Sequence, residues 1–316
     1  MMTLSLNSLA YTRFLAVRNS SALWERLTGV RVKPRKIAGR DVLSLSNGSA
    51  LIEGHLAGSD PFFAGRIGTS ELAALYEAME IEFGLRRQFS QRTVQTLNIN
   101  AGFFPPRQEA VQCFVELMFN CVSSADLLGM LGHPQFLIAN RALPAEVVDL
   151  RALEPYYTQV SWGRALSGKH VLVIHPLADL IKIQFSNRRE LFEREDVLPE
   201  FQLSTIPAVQ SIANTRVPFS SWFEALDHMT EAMAAVPFDV VLVGAGAYGF
   251  PLAARAKAFG KQAIHMGGAL QILFGIKGRR WDNHPIISKL YNTHWVRPSE
   301  TDVPAGAELI EQGCYW

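Results

Sequence analysis

Four groups of residues have types and spacings suited to handling a phosphorylated, oxygen-rich substrate. In Gly244-Ala245-Gly246-Ala247-Tyr248-Gly249 the glycines have GxGxxG spacing. Such a turn at the start of a helix offers free backbone N–H groups and a partial positive charge to a phosphate. Arg66-Ile-Gly68-Thr69-Ser70-Glu71 brings a guanidinium, two hydroxyls and a carboxylate into a single turn. His175 and His265 each close an apolar run, where an imidazole can accept a proton. Arg188 and Arg189 are adjacent cations able to clamp a diphosphate in bidentate fashion.

Each group also has a purely structural explanation. The glycines can serve only close helix–strand packing. A dinucleotide site should carry an Asp or Glu roughly 20 residues beyond the glycines, to hold a ribose hydroxyl. Here the following run ends in His265-Met266-Gly267-Gly268, with no carboxylate, so the support for NAD is the glycine spacing alone. Glu71 in a first helical turn is favoured by the dipole, with Thr69 or Ser70 as N-cap. A histidine at a strand end is often a hydrogen-bonded structural residue, and Arg188 and Arg189 fit an exposed helix face.

The elements that must position these residues follow from pattern. Val240–Val243 reads as a strand buried on both faces, Tyr248 to Phe259 as a helix with Pro251 in its first turn, and Gly260 as its stop. Lys261 to Met266 is then the next strand, completing a βαβ unit. Upstream, Phe62 to Gly68 reads as a strand feeding a helix with an apolar face of Leu72, Leu75, Tyr76, Met79 and Phe83. Further helices are predicted over Arg107–Cys121, Ala125–Leu131 and Trp222–Ala235, and strands over Gln135–Asn140, His170–His175 and Phe201–Ile206. Tyr156, Tyr157 and Trp162 fall in a polar stretch, where they can stack on a base or sugar or cover a core edge. The alternation implies an α/β, Rossmann-like fold with a mostly parallel sheet and right-handed crossovers.

Composition narrows the function classes. With 30 Lys plus Arg against 29 Asp plus Glu the net charge is +1, so no basic field argues for nucleic acid. The three cysteines, Cys113, Cys121 and Cys314, are not spaced as zinc ligands and suit a reducing compartment. No stretch is long and apolar enough to span a bilayer, and no secretion signal is read, which leaves the cytoplasm as the expected location. Leu4, Leu6, Leu9, Phe14, Leu15 and Trp24, with Arg13 and Arg18 between them, make an amphipathic segment. It suits packing on the core or on a second subunit, or peripheral contact with a membrane face. Arg31, Lys33, Arg35, Lys36 and Arg40 form a basic run broken by Pro34 and Gly39. We expect an N-terminal extension over residues 1–55, the main domain over 56–280, and a tail over 281–316 that packs back on it.

Two stretches also resemble the GT-D-type glycosyltransferases. Arg66-Ile-Gly-Thr-Ser-Glu71 is similar to that family's Arg-x-Gly-Asp-x-Glu segment, and Asp239 to Gly268 to its strand, glycine turn, helix and Gly-x-Gln-Ala-Ile pattern, with Gln262-Ala263-Ile264 and Gly267 in place. Asn187 to Phe192 is a fainter match. The resemblance implies transfer of a sugar from a UDP-, GDP- or TDP-linked donor to a glycan or lipid-linked acceptor, as in capsule or O-antigen assembly. With it, Arg66, Gly68, Thr69, Ser70, Arg188, Arg189, the Gly244–Gly249 turn, Gly267 and Gly268 are expected at the donor and Glu71 is a candidate for proton transfer, as are His175 and His265 because each closes a strand. It further implies a divalent cation, Mn²⁺ or Mg²⁺, on the acidic motif, and no organic cofactor. The family's Asp, however, falls on Thr69, leaving Glu71 alone. A cation held by one carboxylate, and a metal-independent site built on arginines and the helix end, both stay open. So does a non-catalytic assembly protein that kept the fold.

Overall fold

The computed structural model describes residues 40–130, 145–310 and 313–316, together with residues 16, 20, 23, 24, 26–29, 36 and 37. Leu4 to Leu15, most of the basic run, and the strand expected at Gln135–Asn140 lie outside the described residues.

Seven strands form one sheet: β1 (Phe62–Gly65), β2 (Leu127–Met130), β3 (Glu146–Asp149), β4 (His170–His175), β5 (Gln202–Pro207), β6 (Val240–Val243) and β7 (Gln262–His265). Their order is β3-β2-β1-β7-β6-β4-β5, and every pairing is parallel. A parallel sheet is covered on both faces, and the side chains here divide accordingly. Phe63, Leu128, Leu172, Ile174, Val241, Val243 and Ala263 enter one core layer. Phe62, Ala64, Leu127, Val171, Val173, Val240, Leu242 and Ile264 enter the other. Fully burying one such side chain is worth about 1.5–3 kcal/mol, so the inner strands hold the sheet in register.

Among the described residues, seven helices of eight or more residues flank it: α1 (Leu45–Ala57), α2 (Thr69–Glu82), α3 (Gln91–Ala101), α4 (Gln108–Ser124), α5 (Ala178–Ser186), α6 (Trp222–Ala234) and α7 (Gly249–Ala258). Local chemistry starts several of them. Ser44, Ser90 and Ser221 each accept a hydrogen bond from a first-turn N–H, of Asn47, Thr93 and Glu224 respectively. Helices α2, α3, α4, α6 and α7 cover one face, while α1 and α5 cover the other. The β1-to-β2, β5-to-β6 and β6-to-β7 connections, which step toward the β3 edge, run over the first face, and the β4-to-β5 connection, stepping the opposite way, runs over the second. Right-handed crossovers require this arrangement. The chain therefore leaves β4 and its neighbour β6 on opposite faces and opens a crevice between their C-terminal ends. Ligands of α/β sheets bind at such a switch point.

Three expectations change. The stretch expected as a helix at Ala125–Leu131 is strand β2, because Asp126 ties it to the sheet. Its Oδ2 accepts the Phe63 N–H at 2.8 Å, and its Oδ1 meets Lys257 Nζ at 2.7 Å. Helix α2 begins at Thr69 with Gly68 as its N-cap, so neither Thr69 nor Ser70 caps it. Helix α1 runs through the boundary expected at residue 55 and buries Ile52 and Leu56 in the second core layer. Trp281 and Trp295 enter that same layer, so the segment after residue 280 packs on the sheet. Among the described residues no helix is long and apolar enough to cross a membrane.

Candidate active site

The glycine turn lies at the β4–β6 crevice, and each of its glycines answers a different constraint. A Cβ on Gly244 would lie 2.7 Å from Gly267 O and 2.7 Å from His175 Cδ2. Gly246 has φ +53 and faces open space, with nothing nearer than Ala101 O at 3.6 Å. A Cβ on Gly249 would lie 2.3 Å from His265 Nε2. The first and third glycines thus permit close approach, and the second presents bare backbone to the crevice. Among the described residues, the turn is closed by Gly244 N–H to Ile174 O, Tyr248 N–H to Ala245 O and Gly249 N–H to Gly246 O. Among the described residues the N–H groups of Ala245 and Gly246, both lining the crevice, have no partner.

A cavity of about 110 Å³ sits there, between His175 and Leu177 after β4, Ser211 and Ile212 after β5, Gly244 to Gly246 after β6, and Gly268 and Gln271 after β7. Tyr315 and Trp316 complete its wall. Tyr315 is pinned by Gln271 Nε2, which donates to its carbonyl at 3.0 Å, and its ring lies so close over Gly268 that a Cβ there would sit 2.2 Å from Cε1. A cavity this size holds one ring or one phosphate, not a whole nucleotide sugar, which needs several hundred Å³.

Both histidines lose the role of general base. Leu177 N–H donates to His175 Nδ1 at 3.0 Å, so that nitrogen carries no proton. Burial lowers the imidazole pKa to about 3, so the ring is neutral with its proton on Nε2, the nitrogen a base would need free. His265 is the reverse case. Its Nδ1–H donates to Arg66 O at 2.9 Å, and its pKa is also lowered to about 3, chiefly by burial and next by the Arg66 charge. The remaining Nε2 is sealed against Gly249 and among the described residues has no partner. His265 is a strut that fixes the backbone of Arg66.

Arg66 follows β1 at the centre of the same sheet edge. Its side chain is partly exposed and passes beside Gly267, with Nε 3.6 Å from where a Cβ of that residue would be. Among the described residues its guanidinium makes no ion pair or hydrogen bond. Two buried carboxyls share its field. Glu71 turns back over its own helix start, close enough that a Cβ on Gly68 would lie 2.2 Å from Oε2. Burial raises its pKa, against the opposing pull of its own backbone N–H and of Arg66. Glu154, in the loop after β3, accepts a 2.5 Å hydrogen bond from Tyr156 OH. Burial raises its pKa to about 7, against the pull of Tyr156, Arg66 and Arg151. Tyr156 OH also lies 3.3 Å from Ala269 O, which joins this cluster to the Gly267–Gly268 turn.

The donor set does not suit a resident divalent cation. Thr69 is exposed, Glu71 is buried with its pKa raised by that burial, and the described residues contain no group of three or more His, Cys, Asp or Glu able to hold a metal ion.

Not every expected residue reaches this edge. Arg188 and Arg189 lie at the opposite end of the sheet, because α5 carries the chain about 13 Å back along β4. There Arg188 pairs with Glu200 at 2.7 Å, next to Gly168 N–H donating to Glu200 O at the entry to β4 and β5. Tyr248 stacks on Trp222 at 4.9 Å inside the core and also lines the cavity, its hydroxyl 2.8 Å from Ser211 Oγ. Tyr157 rings with Tyr156 at 5.1 Å, and Trp162 is fully buried, its Nε1 donating to Ala152 O. Sequence reasoning missed Glu154, Ser211, Gln271 and Tyr315. The one available signal was the dense aromatic content of the segments holding Tyr156 and Tyr315.

No family model matches the chain, and no curated protein matches it significantly. Two solved structures are similar in architecture. One is a domain of unknown function 1792 described as having a distinct glycosyltransferase fold, at 12% identity over 72% of this chain and 77% of that one, with a TM-score of 0.39. The other is a selenomethionine-substituted structure of that domain, at 10% identity over 72% and 78%, with a TM-score of 0.41.

Proposed function

We propose that the chain is a glycosyltransferase of the GT-D type that moves a sugar from a nucleoside-diphosphate donor to a hydroxyl of a glycan or lipid-linked acceptor. One observation carries this reading. The unpartnered guanidinium of Arg66 and the open N–H groups of the Gly244–Gly249 turn stand on one sheet edge, on either side of Gly267 and Gly268. Breaking the bond from the anomeric carbon to the phosphate leaves a diphosphate with its electron pair, and that charge must be stabilised. Arg66 does so through paired N–H bonds, and the turn through its backbone dipoles. The acceptor oxygen forms the new bond and gives up its proton to a carboxyl. Glu154 suits that role, since its pKa of about 7 lets it accept and release a proton near neutrality. Glu71 is the second carboxyl in reach of the same guanidinium. No step is routed through a metal, because the donor set does not fit one.

A sugar transfer in capsule or O-antigen assembly, at the cytoplasmic face of a membrane, is the setting that matches the sequence resemblance. The oxidoreductase alternative gains nothing from the fold. The glycine turn follows β6 rather than a central first strand, and His265 stands where a ribose-binding carboxylate belongs.

The reading is tested by thermal stability against UDP, GDP, TDP, CMP and NAD, each with and without Mn²⁺. A ligand at a hundred times its Kd adds about 2.7 kcal/mol. One nucleoside diphosphate should raise the melting temperature equally with and without Mn²⁺. A shift with NAD alone would defeat the proposal, and silence toward every nucleotide would favour a non-catalytic assembly protein.

A further inference from the structure

We infer that His175 is a fixed neutral hydrogen-bond donor to a phosphoryl oxygen, its Nε2–H acting together with the backbone N–H groups of Ala245 and Gly246. The inference rests on the transferase reading and names what holds the phosphate end of the donor at the β4–β6 crevice.

The argument begins with the hydrogen bond on the far side of the ring. A backbone N–H can only donate, so the 3.0 Å contact from Leu177 N to His175 Nδ1 requires a lone pair on Nδ1. An imidazolium, with protons on both nitrogens, would set two donors against each other there. The ring is therefore neutral, and its single proton is on Nε2. His175 is 4% exposed and lines the cavity, and among the described residues its Nε2 has no hydrogen-bond partner. His265 Nε2, by contrast, is sealed away from solvent. His175 Nε2 keeps access to the cavity, where a ligand oxygen can take the place of water.

The ligand class follows from what surrounds that N–H. The ring edge lies against Gly244, the first residue of the turn, with Cδ2 2.7 Å from where a Cβ would stand. The side-chain donor and the turn's backbone donors thus share one end of the cavity. The lining contains no Asp, Glu, Lys or Arg side chain, and Asn100, Gln210, Ser211 and Gln271 add groups that both donate and accept. Backbone and ring N–H donors grouped at a helix start, with no acidic side chain opposing them, suit a phosphoryl oxygen, the anion such dipoles favour. Arg66, across the Gly267–Gly268 turn, then supplies the full positive charge that this end lacks.

The test uses the full chain labelled with ¹⁵N. Imidazole ¹⁵N resonances distinguish the two tautomers without any ligand, and His175 should show a bare Nδ1 and a protonated Nε2. Titration with UDP, GDP and TDP in turn, and with inorganic pyrophosphate, should move the Nε2 resonance and leave Nδ1 nearly still. His175→Gln places an amide N–H near the position of Nε2 and should keep nucleotide affinity within about threefold, while His175→Ala should weaken it by ~10- to 100-fold. A proton on Nδ1 overturns the inference, whatever the variants do. Binding of any of these ligands with the Nε2 resonance and the His175→Ala affinity unchanged overturns it too, and leaves the transferase reading standing. Failure of all four ligands to bind removes both.

Discussion

Gly249→Ala tests the packing that joins the glycine turn to Arg66. A Cβ at this position would lie 2.3 Å from His265 Nε2 and 2.4 Å from Cδ2, where ordinary contact is about 3.5–4.0 Å. The imidazole must therefore retreat by more than ~1 Å. It has little room, being 4% exposed and held by its Nδ1–H on Arg66 O at 2.9 Å. Overpacking of this kind costs about 1–3 kcal/mol, and a weakened bond to a buried carbonyl adds about 1 kcal/mol. Against this, Gly249 is helical (φ −61, ψ −43), so alanine returns up to about 1 kcal/mol of helix propensity. The net expectation is a loss of about 1–3 kcal/mol, read from urea unfolding. The double variant isolates the cause. With His265→Ala in place the obstruction is gone, and adding Gly249→Ala should be neutral or stabilising. The coupling energy should reach about 1–3 kcal/mol, as for residues in direct contact. A single Gly249→Ala variant within about 0.5 kcal/mol of the parent, or strictly additive effects in the cycle, would refute the close approach of helix and strand. It would also remove the account of His265 as a strut.

Glu154→Gln should flatten part of the pH dependence of stability. The folded protein binds the Glu154 proton more tightly than the unfolded chain, with a pKa of about 7 against an ordinary 4.5. The associated stability is therefore fully present below 4.5 and is lost as pH rises through 7, a change of about 3 kcal/mol that chemical unfolding from pH 4 to 8 should show in the parent and not in the variant. Parallel profiles would mean that Glu154 does not titrate there. Arg66→Ala should weaken binding of UDP or its GDP or TDP counterpart by ~10- to 100-fold in calorimetry while costing little stability at pH 6, because no ion pair is lost. Undiminished affinity would remove Arg66 from the diphosphate. Arg188→Ala combined with Arg189→Ala should leave nucleotide affinity unchanged, since both residues lie at the far end of the sheet. A tenfold loss would contradict that placement.

The glycine-turn βαβ unit was legible because its signals are local. Val240–Val243 has no polar residue to hide, Gly246 must adopt a positive φ, and Gly260 at φ +77 ends the helix just where the strand Gln262–His265 needs the chain to reverse. The Arg66–Glu71 turn was legible for the same reason, a short apolar run stopping abruptly at polar residues before an amphipathic stretch. Leu127–Met130 was not, because its strand character comes from Asp126 gripping residues 63 and 257, contacts that leave no mark on neighbouring positions.

The site divides along the same line. Residue types and spacing alone determined that a parallel α/β sheet would carry an open glycine turn and an Arg66–Glu71 turn at strand ends. Only the tertiary structure decided which end of the sheet each cation reaches, and so set Arg188 and Arg189 apart from Arg66. It alone brought Glu154 and Tyr156 to Arg66 across the intervening end of β2, and it alone chose opposite tautomers for His175 and His265. Periodicity reports what lies within a few residues along the chain. Proton location and pKa depend on desolvation and on hydrogen-bond partners, and a fold can bring those partners from a hundred or more residues away, as His265 and Arg66 demonstrate.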